Sequence, residues 1–261
     1  MSGDPPPPPP PEPGSFTASI TRADRSSLAS FVRENLGRIN ESEVLRCLRH
    51  PHAGEEVIQA VLETPAFLSS REVRKAIVLH PAAPRPDALR LVEDLPWRDL
   101  VDVGREARTP MPVRHAANRG ILERLPKLSR GEKTALARLA DRPVLGALLD
   151  DGDVDVLTAV LANPRLVEDD LTAWLVARRP REAQVAALAR STGWMERTAV
   201  RIAVLLSGRT PRSVALSLLT SSVRPVWERL AADPAADPLL AACARSLLEG
   251  RGEGAQGGGG V

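Results

Sequence analysis

Three arginines stand in the same short sequence pattern at separate places along the chain. Arg74, Arg114 and Arg201 each lie in a Val-Arg-x-Ala stretch near the start of an apolar helical segment. A row of guanidinium groups on one surface could bind phosphates or acidic peptides, because each planar group donates two hydrogen bonds to a pair of oxygens. The pattern marks these three residues as candidate partner-binding residues.

A second candidate for chemistry is a metal site. Cys47, His50 and His52 lie within six residues and are zinc-ligand types. A structural zinc site needs a fourth ligand, the chain has no Cys-x-x-Cys pair, and Pro51 separates the two histidines across a predicted helix end. We therefore predict that Cys47 is a small core residue, that His50 and His80 are polar caps of helix ends, and that no metal binds here.

The common catalytic motifs are missing from the sequence. It contains no Ser-His-Asp arrangement, no nucleophile elbow and no dinucleotide fingerprint. The stretch Gly131-Glu132-Lys133-Thr134 ends like a phosphate-binding loop but lacks the upstream glycine, so we predict the start of a helix there. These observations predict a protein that is not an enzyme and uses no cofactor.

Composition limits the classes of function. The 261 residues include 35 Lys and Arg against 33 Asp and Glu, a formal net charge of +2. Dedicated nucleic-acid binders concentrate positive charge, so this balance argues against that class. Three Phe, four Trp and no Tyr favour packed helices over sheets.

The cysteines and the hydropathy pattern bear on the compartment. Cys47 and Cys243 lie near opposite ends of the chain, so a disulfide is not expected and a reducing compartment fits. The sequence after Met1 has no apolar signal segment, and no stretch approaches the roughly 18 apolar residues of a membrane span. We expect a cytoplasmic monomer that does not enter a membrane.

The chain is internally duplicated. The segment 73–91 recurs at 200–218, which is 127 residues later, and fainter copies recur about every 40 residues. A later block, which includes Pro112 and Pro238, aligns at an offset of 126 and suggests a one-residue loop deletion. The spacing predicts an all-α fold, an internally duplicated α-solenoid of about five or six stacked helical hairpins with about twelve to sixteen short helices.

The ends differ from the repeats. Pro5–Pro11 predicts an extended polyproline arm, which is either a ligand for a partner or a spacer. The glycine-rich end has almost no apolar residue to offset the entropy of ordering. We predict a disordered arm over 1–22, the helical repeats over 23–249 and a disordered tail over 250–261.

Local signals place helix starts, helix ends and core positions. His50-Pro51, His80-Pro81 and Asn163-Pro164 each end an apolar run, because proline disfavours helical geometry in the residue before it. The apolar periodicity places Leu89 and Leu216 in the core. Predicted starts are Asn40 with Glu43, Ser69 with Glu72, and Ser129 with Glu132.

The stretch Val73-Arg74-x-Ala76-x-x-x-His80-Pro81-x-x-Pro84 resembles the Val-Arg-x-Ala-Val-x-x-Asn-Pro-x-x-Pro signature of the leucine-rich repeat variant family. The two-helix rhythm is also similar to HEAT repeats, and the resemblance covers residues 40 to 249. It implies a right-handed superhelix whose long concave surface binds protein partners, and it assigns no catalytic residue.

The same resemblance gives the arginines an alternative role. In HEAT-like repeats an equivalent arginine commonly bonds an acidic or carbonyl group of the adjacent repeat, which forms an internal ladder. The near-neutral charge favours this ladder over a row that binds a ligand. Acids that could take part are Asp102, Asp155 and Glu196.

The sequence favours a non-enzymatic scaffold that holds a protein partner on the concave face. The alternatives are a nucleic-acid-binding solenoid that uses the repeated arginines, and a helper domain that acts only when docked on an enzyme. Some HEAT-like solenoids are DNA glycosylases that use a tryptophan and an acid, but base-stacking aromatics are few here. The pairs that would mimic such a site are Trp97 with Asp99 and Trp174 with Asp170.

Overall fold

The computed structural model describes residues 16–178 and 180–253, which form helices joined by short loops. No strand occurs in these ranges, so the all-helical prediction is confirmed. The helices belong to two compact units, one ending at Arg124 and one beginning at Leu125. The first unit contains α1 Thr17–Arg22, α2 Arg25–Asn35, α3 Glu41–Leu48, α4 Glu55–Leu62, α5 Pro65–Leu68, α6 Arg71–Leu79, α7 Arg85–Glu93, α8 Trp97–Arg105 and α9 Met111–Arg124. The second contains a 3-10 turn at Leu125–Lys127 and then α10 Arg130–Leu139, α11 Arg142–Leu149, α12 Val154–Leu161, α13 Glu168–Ala177, α14 Glu182–Ala189, α15 Thr192–Met195, α16 Thr198–Leu206, α17 Arg212–Thr220, α18 Arg224–Ala232 and α19 Pro238–Glu253.

Within each unit, helices pack both inside a hairpin and against the next hairpin. In the first unit α6 packs on α7 and α8 packs on α9, while α3 contacts α6 and α6 contacts α8. In the second unit α16 packs on α17 and α18 on α19, while α13 contacts α16 and α16 contacts α18. The helices named here, α3 and α6 to α9, therefore each have a counterpart ten helices later.

The duplication extends to the helix boundaries. Helices of the first unit begin at residues 41, 55, 65, 71, 85, 97 and 111, and those of the second begin at 168, 182, 192, 198, 212, 224 and 238, each 127 residues later. The described residues form nineteen helices, more than the predicted number. The excess includes α5 and α15, whose four residues are too few to show a helical period.

The predicted slip to an offset of 126 is wrong. The loop before α9 and the loop before α19 have the same length, so no residue is deleted. At an offset of 127, buried Val113 corresponds to buried Leu240, and buried Ala117 corresponds to buried Ala244. The shared prolines suggested 126 because Pro112 is the second residue of its helix, whereas Pro238 is the first.

Side chains close the helix ends as the sequence indicates, with one shift. Capping boxes form at Asn40 and at Ser129, as predicted. The cap of α6 is Ser70 instead of Ser69, because Ser69 keeps helical backbone geometry whereas Ser70 is extended and its hydroxyl accepts from the amide of Val73 at 3.3 Å. His80 Nδ1 accepts from the amide of Ala82 at 3.1 Å, which supports its predicted role as a helix-end cap.

The segment boundaries differ from those predicted. Helix α1 lies inside the range assigned to the arm, and its Ile20 is fully buried, so that apolar contact orders the segment. Helix α19 runs to Glu253, beyond the predicted end of the repeats. The polyproline stretch Pro5–Pro11 and residues 254–261 lie outside the described residues.

Two residues predicted to be core positions lie beside the buried faces of their helices. Leu89 and Leu216 are half-buried, whereas Leu91 and Leu219 on the same helices are buried. Leu216 packs against a cluster around Trp227, whose indole nitrogen donates to the carbonyl of Leu219 at 2.8 Å. The apolar face of these helices is wider than the buried stripe, so periodicity alone did not separate the two positions.

The difference in burial predicts a difference in stability. Leu219→Ala removes a fully buried side chain, and we expect it to lower the free energy of unfolding by about 2–5 kcal/mol. Leu216→Ala on the same helix is the matched control and is expected to cost about half as much or less, because its side chain is partly exposed. Urea denaturation followed by circular dichroism measures both values, and equal losses would contradict this assignment of the core.

Candidate functional site

Two of the three repeated arginines bond carbonyls inside their own unit. The Arg74 guanidinium donates to the carbonyl of Leu68 at 3.1 Å, and that of Arg201 donates to the carbonyl of Met195 at 2.7 Å. Each acceptor is the last residue of a four-residue helix, six positions earlier. Arg201 also donates to the carbonyl of Ser221, after α17, at 3.1 Å. These carbonyl contacts are local, six residues along the chain or within one helical hairpin, so a ladder between adjacent repeats stays a prediction.

The acids named for the ladder do not bond these arginines. Asp102 pairs with Lys75, and Asp155 pairs with Arg130. Arg114 makes no hydrogen bond or ion pair with a described residue, and its Nε is buried without a partner. The binding role of the three arginines stays a prediction.

An open groove lies on the first unit at the ends of three helices. It has a volume of about 450 Å³ and collects the end of α3, the outer side of α6 and the loop after α8. We call it the first groove. Its lining residues are Leu48, Arg49, His50, Pro51, Ala53, Glu72, Lys75, Ala76, Leu79, His80, Pro81 and Arg108.

The second unit has a groove at the corresponding place. This second groove has a volume of about 530 Å³ and lies at the ends of α13, α16 and α18. Seven lining positions of one groove match lining positions of the other at a spacing of 127 residues. The matched pairs are Leu48 and Leu175, Arg49 and Val176, Ala76 and Ala203, Leu79 and Leu206, His80 and Ser207, Pro81 and Gly208, and Arg108 and Ala235.

The two grooves share apolar positions and differ in charge. The leucine and alanine pairs are identical in both, so the shape follows the duplicated helices. Three cationic positions of the first groove have uncharged counterparts in the second unit: Arg49 corresponds to Val176, Lys75 to Ile202 and Arg108 to Ala235. The chemistry of the first groove is therefore specific to one copy of the repeat.

Lys75 is held by a network of acids. Its Nζ lies 3.1 Å from Asp99 and 2.5 Å from Asp102, and Arg71 Nε lies 2.5 Å from Asp99. Asp99 is only 1% exposed. The hydrogen bond from Arg71 lowers the pKa of Asp99 below its ordinary value, against the cost of burial, and the bond from Lys75 acts in the same direction. Lys75 thus stays charged and fixed in the groove wall.

Arg49 and Arg108 are the uncommitted cations of the first groove. Both are exposed, and neither guanidinium pairs with an acid among the residues that the structure describes. Each lies at a helix end or in a loop, Arg49 directly after α3 and Arg108 in the loop between α8 and α9. Their hydrogen-bond donors are available to a ligand in the groove.

The two histidines of the first groove can donate from Nε2. The Nδ1 atoms of His50 and His80 accept from the amides of His52 and Ala82, at 3.2 and 3.1 Å. Accepting at Nδ1 places the proton of the neutral ring on Nε2. Burial lowers the pKa of His80 below its ordinary value, which keeps that ring neutral at pH 7.

The other sequence candidates lie outside this groove. Cys47 is fully buried, and burial raises the pKa of its thiol to about 11. Across 16–178 and 180–253, no group of three or more His, Cys, Asp or Glu side chains is placed to hold a metal ion. Within the same ranges, no helix has the length and apolar character needed to cross a bilayer.

The tryptophan and acid pairs are structural. Trp97 is 9% exposed and Trp174 is 4% exposed, so neither presents an open face for stacking a base. Asp99 bonds Arg71 and Lys75, while Asp170 bonds Arg142 at 2.9 Å. Both acids therefore have cationic partners within the fold.

No protein-family model matches the chain, and no curated protein or solved structure matches it either. The chain can instead be compared with itself, since the second unit repeats helices of the first 127 residues later. Sequence reasoning missed the grooves, although the signal was present: charged residues at 49, 75 and 108 stand where the second copy has Val176, Ile202 and Ala235.

The acid network predicts a pH-dependent contribution to stability. Asp99 has a lowered pKa in the folded chain, so its carboxylate stabilises the fold above about pH 4, and this contribution is lost as the pH falls through the folded value. We expect Asp99→Asn to lower the free energy of unfolding by about 1–3 kcal/mol at neutral pH. Urea unfolding over a pH series should show the difference in the free energy of unfolding between this variant and wild type disappearing below about pH 4.

Asp102→Asn is the control for this measurement. Its side chain is 54% exposed, so the same substitution there should change the free energy of unfolding by no more than about 1 kcal/mol. If the difference in the free energy of unfolding between Asp99→Asn and wild type stayed constant down to the acid range, the ionised carboxylate would contribute nothing to stability.

Proposed function

We propose that the protein is a non-enzymatic scaffold that holds a segment of a partner protein in the first groove. The observation that carries this proposal is the pair of matched grooves, of which the first alone carries two uncommitted arginines at the matched positions 49 and 108. The two copies keep the same apolar positions, and arginines stand at positions 49 and 108 in one copy only, as expected of a binding site added to a repeat framework.

The groove has the composition of a peptide-binding surface. Six of its twelve lining residues are apolar, among them Leu79, Ala76 and Pro81, and its polar side chains include Arg49 and Arg108. Apolar area supplies most of the free energy of association, while a few polar groups fix register and orientation. The surface is open at the helix ends, where an extended segment has access.

The framework we propose is an α-solenoid of the HEAT-like type. Its support is the contact of equivalent helices in successive hairpins, α3 with α6 and α6 with α8, together with the repetition of that order in the second unit. Repeats of this kind stack on their nearest neighbours and commonly present extended binding surfaces. The binding of nucleic acid has weaker support, because Arg74 and Arg201 already donate to carbonyls.

Blocking the groove tests the proposal. A random peptide display library is panned against the full chain, and the affinities of the selected peptides are measured by fluorescence polarisation for wild type and Ala76→Trp. The indole fills the groove at a half-buried position, and we expect at least about a tenfold loss of affinity. Ala203→Trp, at the matched position of the second groove, is the control and should retain binding.

Folding of the variants is checked by circular dichroism and thermal melting. If Ala76→Trp does not fold, Pro81→Trp at an exposed lining position replaces it. Wild-type affinity in a folded blocked variant, or no selectable peptide at all, would overturn the proposed function.

A further inference from the structure

We propose that the first groove recognises an acidic segment, in which the carboxylates of Asp or Glu side chains bond Arg49 and Arg108 while neighbouring apolar side chains contact the groove floor. The inference rests on the function proposed above and names the chemistry of the partner. It depends on the donors that line the groove, on their existing partners and on the contrast with the second groove.

The polar lining of the first groove consists almost entirely of donors. Arg49, Lys75, Arg108 and the two histidines donate, and Glu72 is the one lining carboxylate. Glu72 itself lies 4.0 Å from Arg71 outside the lining. A ligand that fits this set must supply acceptors, and a charged acceptor gains most because bonds between ions are about twice as strong as neutral ones.

The positive charge is concentrated on two residues. Lys75 is neutralised by Asp99 and Asp102, so its charge is already compensated inside the fold. Arg49 and Arg108 have no such acid. The planar guanidinium fits the two oxygens of a carboxylate, and the partly apolar surroundings strengthen each pair relative to one in open water.

The floor distinguishes an acidic peptide from a polyanion such as nucleic acid. Leu48 is 3% exposed, and Leu79, Ala76 and Ala53 are half-buried around it. A sugar-phosphate backbone would leave this apolar area without a partner, whereas a peptide offers carboxylates and aliphatic side chains at alternate positions. The groove therefore fits a segment in which acidic and apolar residues are mixed.

The second groove supplies the internal contrast. Val176 and Ala235 stand at the positions of the two arginines, and Val176 is 76% exposed. Arg229 in that groove pairs with Asp233 at 3.2 Å, which leaves Arg209 as its one cation without an acid among the described residues. Replacing Arg49 by valine and Arg108 by alanine gives these two positions of the first groove the side chains that stand at the matched positions of the second.

The test compares the peptides selected by wild type with those selected by the double variant Arg49→Val, Arg108→Ala. We expect Asp and Glu to be enriched among peptides that bind wild type, and their affinity for the double variant to fall at least about a hundredfold, roughly tenfold for each charged pair. Replacing Asp and Glu by Asn and Gln in the strongest peptide should give the same loss. Affinity for wild type should also fall as salt is raised.

Two controls make the result specific. Arg119→Ala removes an exposed arginine of α9 outside the groove and should leave affinity unchanged. The reciprocal variant Val176→Arg, Ala235→Arg should gain binding of the acidic peptides in the second groove, measured as a second site by titration calorimetry. A phosphoserine peptide that binds wild type more tightly than every Asp or Glu peptide would overturn the assignment to carboxylates.

The outcomes separate this inference from the proposed function. Peptides that lose binding to Ala76→Trp but show no enrichment in Asp or Glu, and that bind the double arginine variant normally, would overturn the acidic segment and leave the scaffold in place. Peptides insensitive to Ala76→Trp would overturn both. Loss of binding in both variants, with an acidic consensus, is the result expected.

Discussion

Most helices of this chain have eight to eleven residues, which is too short for a helix to be stable alone in water. Each becomes stable by burying one face against its hairpin partner and against the next hairpin. On α6 the buried face includes Val73 and Ile77, and on α16 it includes Val200 and Val204 at the matching positions. A shift of one residue in either helix would turn that face toward solvent, so the register of the duplicated helices is tightly constrained.

This constraint applies to the buried faces and leaves the helix ends free to change. The two grooves lie at helix ends, and they kept the same leucine and alanine positions while their charges diverged. The buried Asp99 shows how far the divergence extends, since its counterpart is the fully buried Val226. In the first copy this place holds a carboxylate that bonds two cations. In the second copy the same place holds the isopropyl group of a valine.

Features set by neighbouring residues could be predicted from the sequence. The capping boxes at Asn40 and Ser129 close within three residues, and the proline after His80 ends its helix locally. Features set by packing could not be predicted. Arg71 and Asp99 lie 28 residues apart in the chain and meet only because α6 packs on α8.

The first groove also could not be predicted, because packing brings its lining residues together. Its lining comes from segments between residues 48 and 108, and no single segment carries a recognisable motif. The repeated arginines were predicted to be functional because they share a pattern that can be recognised in the linear sequence. Arg49 and Arg108 occur once each, and their importance depends on a spatial neighbourhood that the linear pattern does not contain.

The bond from Arg74 to the carbonyl of Leu68, and the equivalent bond of Arg201, has a consequence for how the molecule responds to acid. A guanidinium stays protonated throughout the range in which proteins fold, and a carbonyl has no proton to exchange. The junction between each four-residue helix and the helix that follows is therefore indifferent to acidity in both copies. Acid weakens the contact of Asp99 between α6 and α8 in the first copy. The second copy has the apolar Val226 at that place, which has no proton to gain.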